Sequence, residues 1–155
     1  MVTELSRAKR VLEVGTSNGY SGLWIARGLR RTGGKLDTIE IDKGRADAAR
    51  ENFKKAGFDD IITSHTGDAF KIIPKLEGDF DMIFLDAGNF KAFFDAVRPR
   101  LRAGGVLLTH NALRLRSDTQ KLVDAIKQDQ RLIVSVVQIG DDGFLVVHSR
   151  HPEGK

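Results

Sequence analysis

The sequence contains no cysteine, which excludes disulfides, thiolate metal sites and every mechanism built on a cysteine nucleophile. It has no uninterrupted apolar run long enough for a membrane span. Its first residues, Met1-Val2-Thr3-Glu4-Leu5-Ser6, lack the basic-then-apolar pattern of a secretory signal. A cytoplasmic protein without membrane association is the expectation. No internal repeat, low-complexity tract or linker-like stretch divides the chain, so residues 1–155 are expected to form one domain.

What is present suits a globular core, with 41% hydrophobic and 30% charged positions. The net charge of +4 and the pI near 9.5 would suit an anionic partner, and Arg98, Arg100, Arg102, Arg114 and Arg116 lie close in sequence. No aromatic-interleaved or nucleic-acid motif accompanies them. A solvated basic face is therefore the better reading, and a nucleic-acid partner is not expected.

Short apolar runs alternate with amphipathic stretches along the whole chain, the pattern of strands and crossover helices in a mostly parallel α/β sheet. Strands are predicted over 10–15, 35–41, 61–66, 80–86 and 106–109. Helices are predicted over 20–30, through Ala46, Ala49, Phe53 and Ala56 up to Gly57, and over 69–76 with an interruption at Pro74. Phe90, Phe93, Phe94, Val97 and Leu101 share helical spacing and read as core, after which Gly104 and Gly105 turn the chain into the next strand. Ser117-Asp118-Thr119-Gln120 has the form of a capping box before a helix striped by Leu122, Ala125 and Ile126. Strands over 132–139 and 144–148, joined by Gly140-Asp141-Asp142-Gly143, must form an antiparallel pair. The sheet is thus parallel except for one final reversed strand.

In open parallel sheets, ligands bind beyond the carboxyl ends of the strands. Gly15-Thr16-Ser17-Asn18-Gly19 connects a strand to a helix there, where glycines let backbone approach a ligand and the helix start offers free N–H groups. The spacing of Gly15, Gly19 and Gly22 is not the GxGxxG of a dinucleotide site, which argues against NAD and a dehydrogenase. Glu40 closes the second strand, where a carboxylate can accept both hydroxyls of a ribose in any adenosine cofactor. Glu13, flanked by Leu12 and Val14 in a core strand, needs a partner for its carboxyl. Asp68 precedes Ala69 in helix N-cap position. Tyr20 and Ser21 also suit ring packing and helix-start capping.

Through residues 11–22, Thr38-Ile39-Glu40-Ile41-Asp42, Gly67-Asp68-Ala69 and Phe84-Leu85-Asp86-Ala87, the chain resembles the catechol and caffeoyl-CoA type O-methyltransferases, class I enzymes dependent on S-adenosylmethionine. The likeness continues through Arg102-Ala103-Gly104-Gly105-Val106-Leu107-Leu108 to the final hairpin. It implies a Rossmann-like methyltransferase fold with seven strands, the last antiparallel, and helices on both faces. It implies methyl transfer from S-adenosylmethionine to an oxygen of a small-molecule acceptor. By the same resemblance Glu13, Gly15, Ser17, Tyr20 and Ser21 line the methionine end of the cofactor, Glu40 its ribose, and Asp68 and Ala69 its adenine. Thr16, Gly19, Ile41 and Gly67 complete the cofactor set, and Asp86 lies near the amino group and sulfonium.

The chain departs from that family on the acceptor side. There, an Asp after the fourth strand and an Asp-Asn pair after the fifth hold a divalent cation that lowers the pKa of the substrate hydroxyl. Here Asp86 is kept, but the pair is His110-Asn111, and Asn89 stands where a Lys is expected. Three readings stay open. Asp86, His110 and Asn111 could hold manganese, iron or zinc; His110 could itself take the substrate proton; or His110 only hydrogen-bonds a loop. His65, His148 and His151 show no metal-ligand spacing and receive no role.

The resembling enzymes also carry helices ahead of the first strand, whereas here only residues 1–9 precede it. Closure of the site would then fall to a partner subunit in a homodimer or to the segment 112–117, in which Leu113 and Leu115 suit an apolar acceptor and Arg114 and Arg116 an anionic one. A cofactor-binding module without activity of its own is the competing reading. Amino methylation of nucleic-acid bases is disfavoured because Asp86-Ala87-Gly88-Asn89 lacks the Pro-Pro-aromatic motif of such enzymes, while methylation of an RNA oxygen stays open as a lesser alternative.

Overall fold

The computed structural model describes residues 2–113 and 116–151, apart from the side chains of Arg116 and Asp118. Seven strands, β1 (Arg10–Val14), β2 (Lys35–Glu40), β3 (Ile62–Thr66), β4 (Phe80–Leu85), β5 (Leu101–Thr109), β6 (Leu132–Ile139) and β7 (Asp142–Ser149), form one sheet in the order β3-β2-β1-β4-β5-β7-β6. Neighbours from β3 to β5 pair in parallel, and β7 runs antiparallel to both β5 and β6. The mostly parallel sheet with one reversed strand is as the sequence predicts. Chain direction across the sheet reverses between β1 and β4, which opens a crevice at their carboxyl ends.

Among the described residues, six α-helices flank the sheet: α1 (Val2–Leu5), α2 (Tyr20–Thr32), α3 (Lys43–Lys55), α4 (Ala69–Ile72), α5 (Phe90–Val97) and α6 (Arg116–Lys127). Side-chain alternation along β1 assigns the two faces. Leu12 and Val14 join a core with Phe90, Phe94, Leu122 and Ile126, while Val11 joins one with Ile25, Ala26, Leu29 and Phe53. Leu12, Leu29 and Leu122 are fully buried, each contributing about 1.5–3 kcal/mol by removal of apolar surface from water. Glu13 falls between Leu12 and Val14 and so shares the face of Val11, the side covered by α2 and α3. None of the helices is long and apolar enough to cross a membrane among the described residues.

Several boundaries differ from the sequence expectation. Leu101 opens β5 opposite Phe80 rather than extending α5, because Pro99 supplies no amide hydrogen and the chain leaves α5 through a 3-10 turn at Arg98–Arg100. Gly104 and Gly105 lie inside β5, in a register shift between the Phe80 and Met82 pairs, where Gly104 has φ +77°. Ser117 sits in the first turn of α6 rather than capping it, and the Thr119 hydroxyl instead donates to the Ala112 carbonyl at 2.7 Å. The hairpin turn tightens to Gly140-Asp141, since Ile139 already pairs with Asp142. Short α1 was not anticipated; its buried Thr3 packs where Gly28 of α2 leaves room. Arg114 and Leu115, two of the candidate loop contacts, lie outside the described residues.

Candidate active site

The connection from β1 to α2 is held in a shape its residues dictate. Gly15 has φ +101°, and a Cβ there would stand 2.6 Å from the Asp86 carbonyl oxygen, so only glycine lets β1 and β4 end side by side. Gly19, the residue before α2, has φ +89° and abuts the Phe53 ring. Ser17 also takes a left-handed conformation, φ +49°. Glu40 ties this turn to β2: its Oε2 accepts from the Ser17 amide at 2.8 Å and its Oε1 from the Asp42 amide at 3.0 Å. Each carboxylate oxygen keeps a lone pair for a further donor.

Two clefts meet at this turn. One, of about 470 Å³, runs over Glu40, Ile41, Gly67, Asp68, Ala69 and Phe70. The other, of about 380 Å³, is walled by Thr16, Tyr20, Ser21, Phe84, His110 and Phe144. Gly15, Ser17 and Asp86 line both. The structure therefore brings Gly15, Thr16, Ser17, Tyr20, Ser21, Glu40, Ile41, Gly67, Asp68, Ala69, Asp86 and His110 to one continuous surface. It leaves Glu13 and Gly19 outside the lining, with Glu13 fully buried beneath it. Asp68 caps α4, accepting from the Phe70 amide at 2.9 Å.

Sequence reasoning missed the aromatic wall of the larger cleft. Phe93 has the helical spacing of a core residue, yet its ring stacks on Phe70 with centroids 4.7 Å apart and both line the cleft. The position of Phe70 directly after Asp68-Ala69 was the available signal. Arg45 at the start of α3 and Phe144 on β7 are further lining residues that only the fold brings in. The Asn89 side chain does not cap α5, where it occupies the N-cap position with φ +63°.

At the smaller cleft, His110 Nδ1 lies 3.0 Å from Asp86 Oδ1, and Asn111 Nδ2 lies 3.5 Å from the same oxygen. The imidazole ring packs against Phe144, with centroids 5.2 Å apart. Its side chain is 40% exposed and that of Asp86 27%. This donor set does not fit a divalent cation. It offers a single carboxylate, and the imidazole Nδ1 is taken up by that carboxylate. Among the described residues no group of three or more His, Asp or Glu side chains is arranged to hold a metal ion.

Beneath the turn, Glu13 accepts from the Thr38 hydroxyl at 2.5 Å, and Thr38 in turn meets the Thr16 hydroxyl at 2.6 Å. Burial pushes the Glu13 carboxyl up to about 7, while the hydroxyls of Ser21 and Thr38 pull it down. Its Oε1 is buried without a hydrogen-bond partner among the described residues. Of the basic cluster, Arg98 pairs with Asp129 at 2.9 Å, Arg102 with Asp81 at 2.8 Å, and Arg100 is bound by the carbonyls of Ile73 and Leu76.

Comparison with known proteins follows the same lines. The family model described as O-methyltransferase matches residues 1–149. A catechol O-methyltransferase of Niastella koreensis is 36% identical over 120 residues, covering 74% of this chain and 54% of its own length. A catechol O-methyltransferase of Mycobacterium tuberculosis is 36% identical over 111 residues, covering 70% of this chain and 50% of its own. The chain thus spans about half the length of these two curated relatives. Among solved structures, the O-methyltransferase TomG of Streptomyces achromogenes, involved in tomaymycin synthesis and crystallised with S-adenosylmethionine, superposes with a TM-score of 0.89 at 26% identity. It covers 97% of this chain and 77% of its own.

Proposed function

The chain belongs to the O-methyltransferase family, and from that premise we propose that it binds S-adenosylmethionine across the two adjoining clefts and methylates an oxygen of a small-molecule acceptor. The observation that carries this reading is the junction itself: Gly15, Ser17 and Asp86 line both clefts, and His110 is hydrogen-bonded to Asp86 on the side of the smaller one. The larger cleft has the shape and chemistry for an adenosine. Glu40 offers carboxylate lone pairs to the ribose hydroxyls, and Ile41, Phe70 and Phe93 offer apolar and aromatic surface to the base. The TomG complex supports the same cofactor.

When bound, S-adenosylmethionine supplies an electrophilic methyl group on a positively charged sulfur. The chain's own residues do the rest. With His110 Nδ1–H donated to Asp86, a tautomer assigned from the hydrogen-bond geometry, Nε2 is left with its lone pair to take the acceptor's hydroxyl proton. S-adenosylmethionine held across Gly15, Ser17, Glu40 and Asp86 would supply the methyl group to the acceptor oxygen, and the imidazole of His110 would keep the acceptor's proton, its charge offset by Asp86. Phe84 and Phe144 give the cleft apolar walls that align the acceptor, with the exposed Tyr20 beside them.

A small acceptor is favoured over nucleic acid because Arg98, Arg100 and Arg102 are engaged by Asp129, Asp81 and backbone carbonyls instead of forming a free basic surface. The testing assay is transfer of labelled methyl to a panel of hydroxylated small molecules. Labelled ether products that vanish in His110→Ala support the proposal. Cofactor binding with no product from any member of a broad panel counts against it and for the binding-module reading.

A further inference from the structure

The two edges of the sheet are built differently. β3 closes one edge with a short, polar strand, Ile62–Thr66. Arg50 of α3 lies over it, donating to the Ser64 carbonyl at 3.3 Å and to the Thr66 hydroxyl, and His65 is bonded to Asp37 at 2.8 Å. A charged side chain laid on edge backbone resists the approach of another strand. β6 closes the other edge with Leu132-Ile133-Val134-Ser135-Val136-Val137-Gln138-Ile139, in which no residue is charged and none is proline. It pairs with β7 from Leu132 to Ile139 without a bulge. Ile133, Val136, Val137 and Ile139 are 43–62% exposed, and by strand alternation Val136 lies on one face of the sheet and the other three on the opposite face.

The hairpin fixes which backbone groups of β6 look outward. Ile139 and Asp142 flank the two-residue turn, the position that exchanges both backbone hydrogen bonds. Counting back, Val137, Ser135 and Ile133 address β7. The Arg150 amide, donating to the Arg131 carbonyl at 2.8 Å, agrees with that parity at the far end. The groups of Leu132, Val134, Val136 and Gln138 therefore face away from β7. The Leu132 amide is used by the Asp129 carbonyl at 2.9 Å. Among the described residues no strand lies along Val134, Val136 and Gln138.

We propose that β6 is a dimerisation edge, pairing antiparallel with β6 of a second copy of this chain about a two-fold axis at Val136 and joining the two sheets into one. The outward groups are spaced evenly about Val136, so the edge is its own complement. Rotation sets Val136 against its own equivalent and Val134 against Gln138, pairs whose backbone groups are mutually open. The same register sets Ile133 against Ile139 and Ser135 against Val137. A two-fold axis brings a charge on an edge strand close to its like in the second copy, and β6 carries none to repel. A partner of unrelated sequence would require neither the symmetric spacing nor the missing charge. Both β5 and β6 run antiparallel to β7, so β6 points to the end of the sheet that carries the clefts. Antiparallel pairing then sends the two sets of clefts to opposite ends of the joint sheet. Closure of the site by a partner subunit is not supplied by this pairing, which is independent of the cofactor reading.

The test uses sedimentation equilibrium and cross-linking on the full chain. The unaltered protein is expected to show monomer and dimer in exchange at concentrations up to about 200 µM. Val136→Lys, at a half-exposed position, should keep the circular dichroism of the fold and weaken the dimer by about tenfold or more by setting like charges at the axis. The chain has no cysteine, so a single introduced thiol is unambiguous. Directly opposed residues of an antiparallel pair stand about 5.5 Å apart between Cα atoms, within reach of a disulfide. Val136→Cys should give a disulfide-linked dimer on mild oxidation, and Thr63→Cys on exposed β3 should not. A chain that is monomeric at every concentration, a dimer that survives Val136→Lys, or equal cross-linking from both edges would overturn the proposal. A dimer lost in Val136→Lys but never cross-linked through Val136→Cys would overturn the two-fold register. Should Val136→Lys not fold, the comparison of Val136→Cys with Thr63→Cys decides.

Discussion

His110 Nδ1 and Asp86 Oδ1 face each other across 3.0 Å at the point where the two clefts join. In the proposed function this pairing would make His110 the proton acceptor and Asp86 its electrostatic support. His110→Ala is expected to lower kcat by about 10²–10⁴-fold, the usual worth of a general base, with little change in S-adenosylhomocysteine affinity. Added imidazole should restore part of the rate. Asp86→Asn should lower kcat as well but also weaken cofactor binding, because Asp86 lines the larger cleft too. Steady-state kinetics and calorimetry on the two variants separate the roles, and an unaltered kcat in His110→Ala would remove His110 from the chemistry.

Methyl transfer should proceed at the same rate after exhaustive treatment with a chelator. The basis is the donor set, in which the imidazole and the Asn111 amide are turned toward Asp86. A rate abolished by chelator and restored by manganese, iron or zinc would show that these side chains rearrange around a cation.

Glu13 makes stability depend on pH in a direction opposite to that of most carboxylates. Its carboxyl is raised from 4.5 to about 7 in the folded chain, so between those values the folded state holds a proton that the unfolded state has released. Its contribution is fully present below about 4.5, is lost as pH rises, and changes no further above about 7. The total is on the order of 3 kcal/mol. Denaturant unfolding near pH 5 and near pH 8 should show the difference between wild type and Glu13→Gln shifting by that order in favour of the variant at the higher pH.

Gly15→Ala should both destabilise the fold and abolish cofactor binding. The added methyl would meet the Asp86 carbonyl at 2.6 Å from a backbone with φ +101°, and the left-handed strain alone costs about 1–3 kcal/mol. Gly33→Ala is the control, since φ is +74° there but nothing lies within 4 Å of the new methyl. Thermal unfolding should rank Gly15→Ala well below Gly33→Ala, and only the former should lose S-adenosylhomocysteine.

The sequence reveals as much of this fold as local pattern can carry. Apolar runs separated by amphipathic stretches yield the succession of strands and crossover helices of a mostly parallel sheet, though not the order in which the strands lie, and Gly140-Asp141-Asp142-Gly143 locates the reversed strand. Misplaced features depend on partners distant in the chain. Leu101 reads as helical until Phe80 is seen to pair with it. Phe93 reads as core until Phe70 stacks on it at the cleft. Glu13 stands in the right motif, but alternation along β1 cannot tell whether its face meets the cleft or the underside of α2. The register with Thr38 and the space left by Gly22 settle it. His110 and Asn111 were legible as a departure from the family pattern, while their orientation toward Asp86 was not.

The account rests on the adjoining clefts being a cofactor site, and calorimetric titration of the full chain with S-adenosylhomocysteine tests that most directly. Saturable one-to-one binding, strongly weakened by Gly15→Ala and by Glu40→Ala, is the predicted result. An absence of binding by the unaltered folded protein, or binding indifferent to both substitutions, would contradict it.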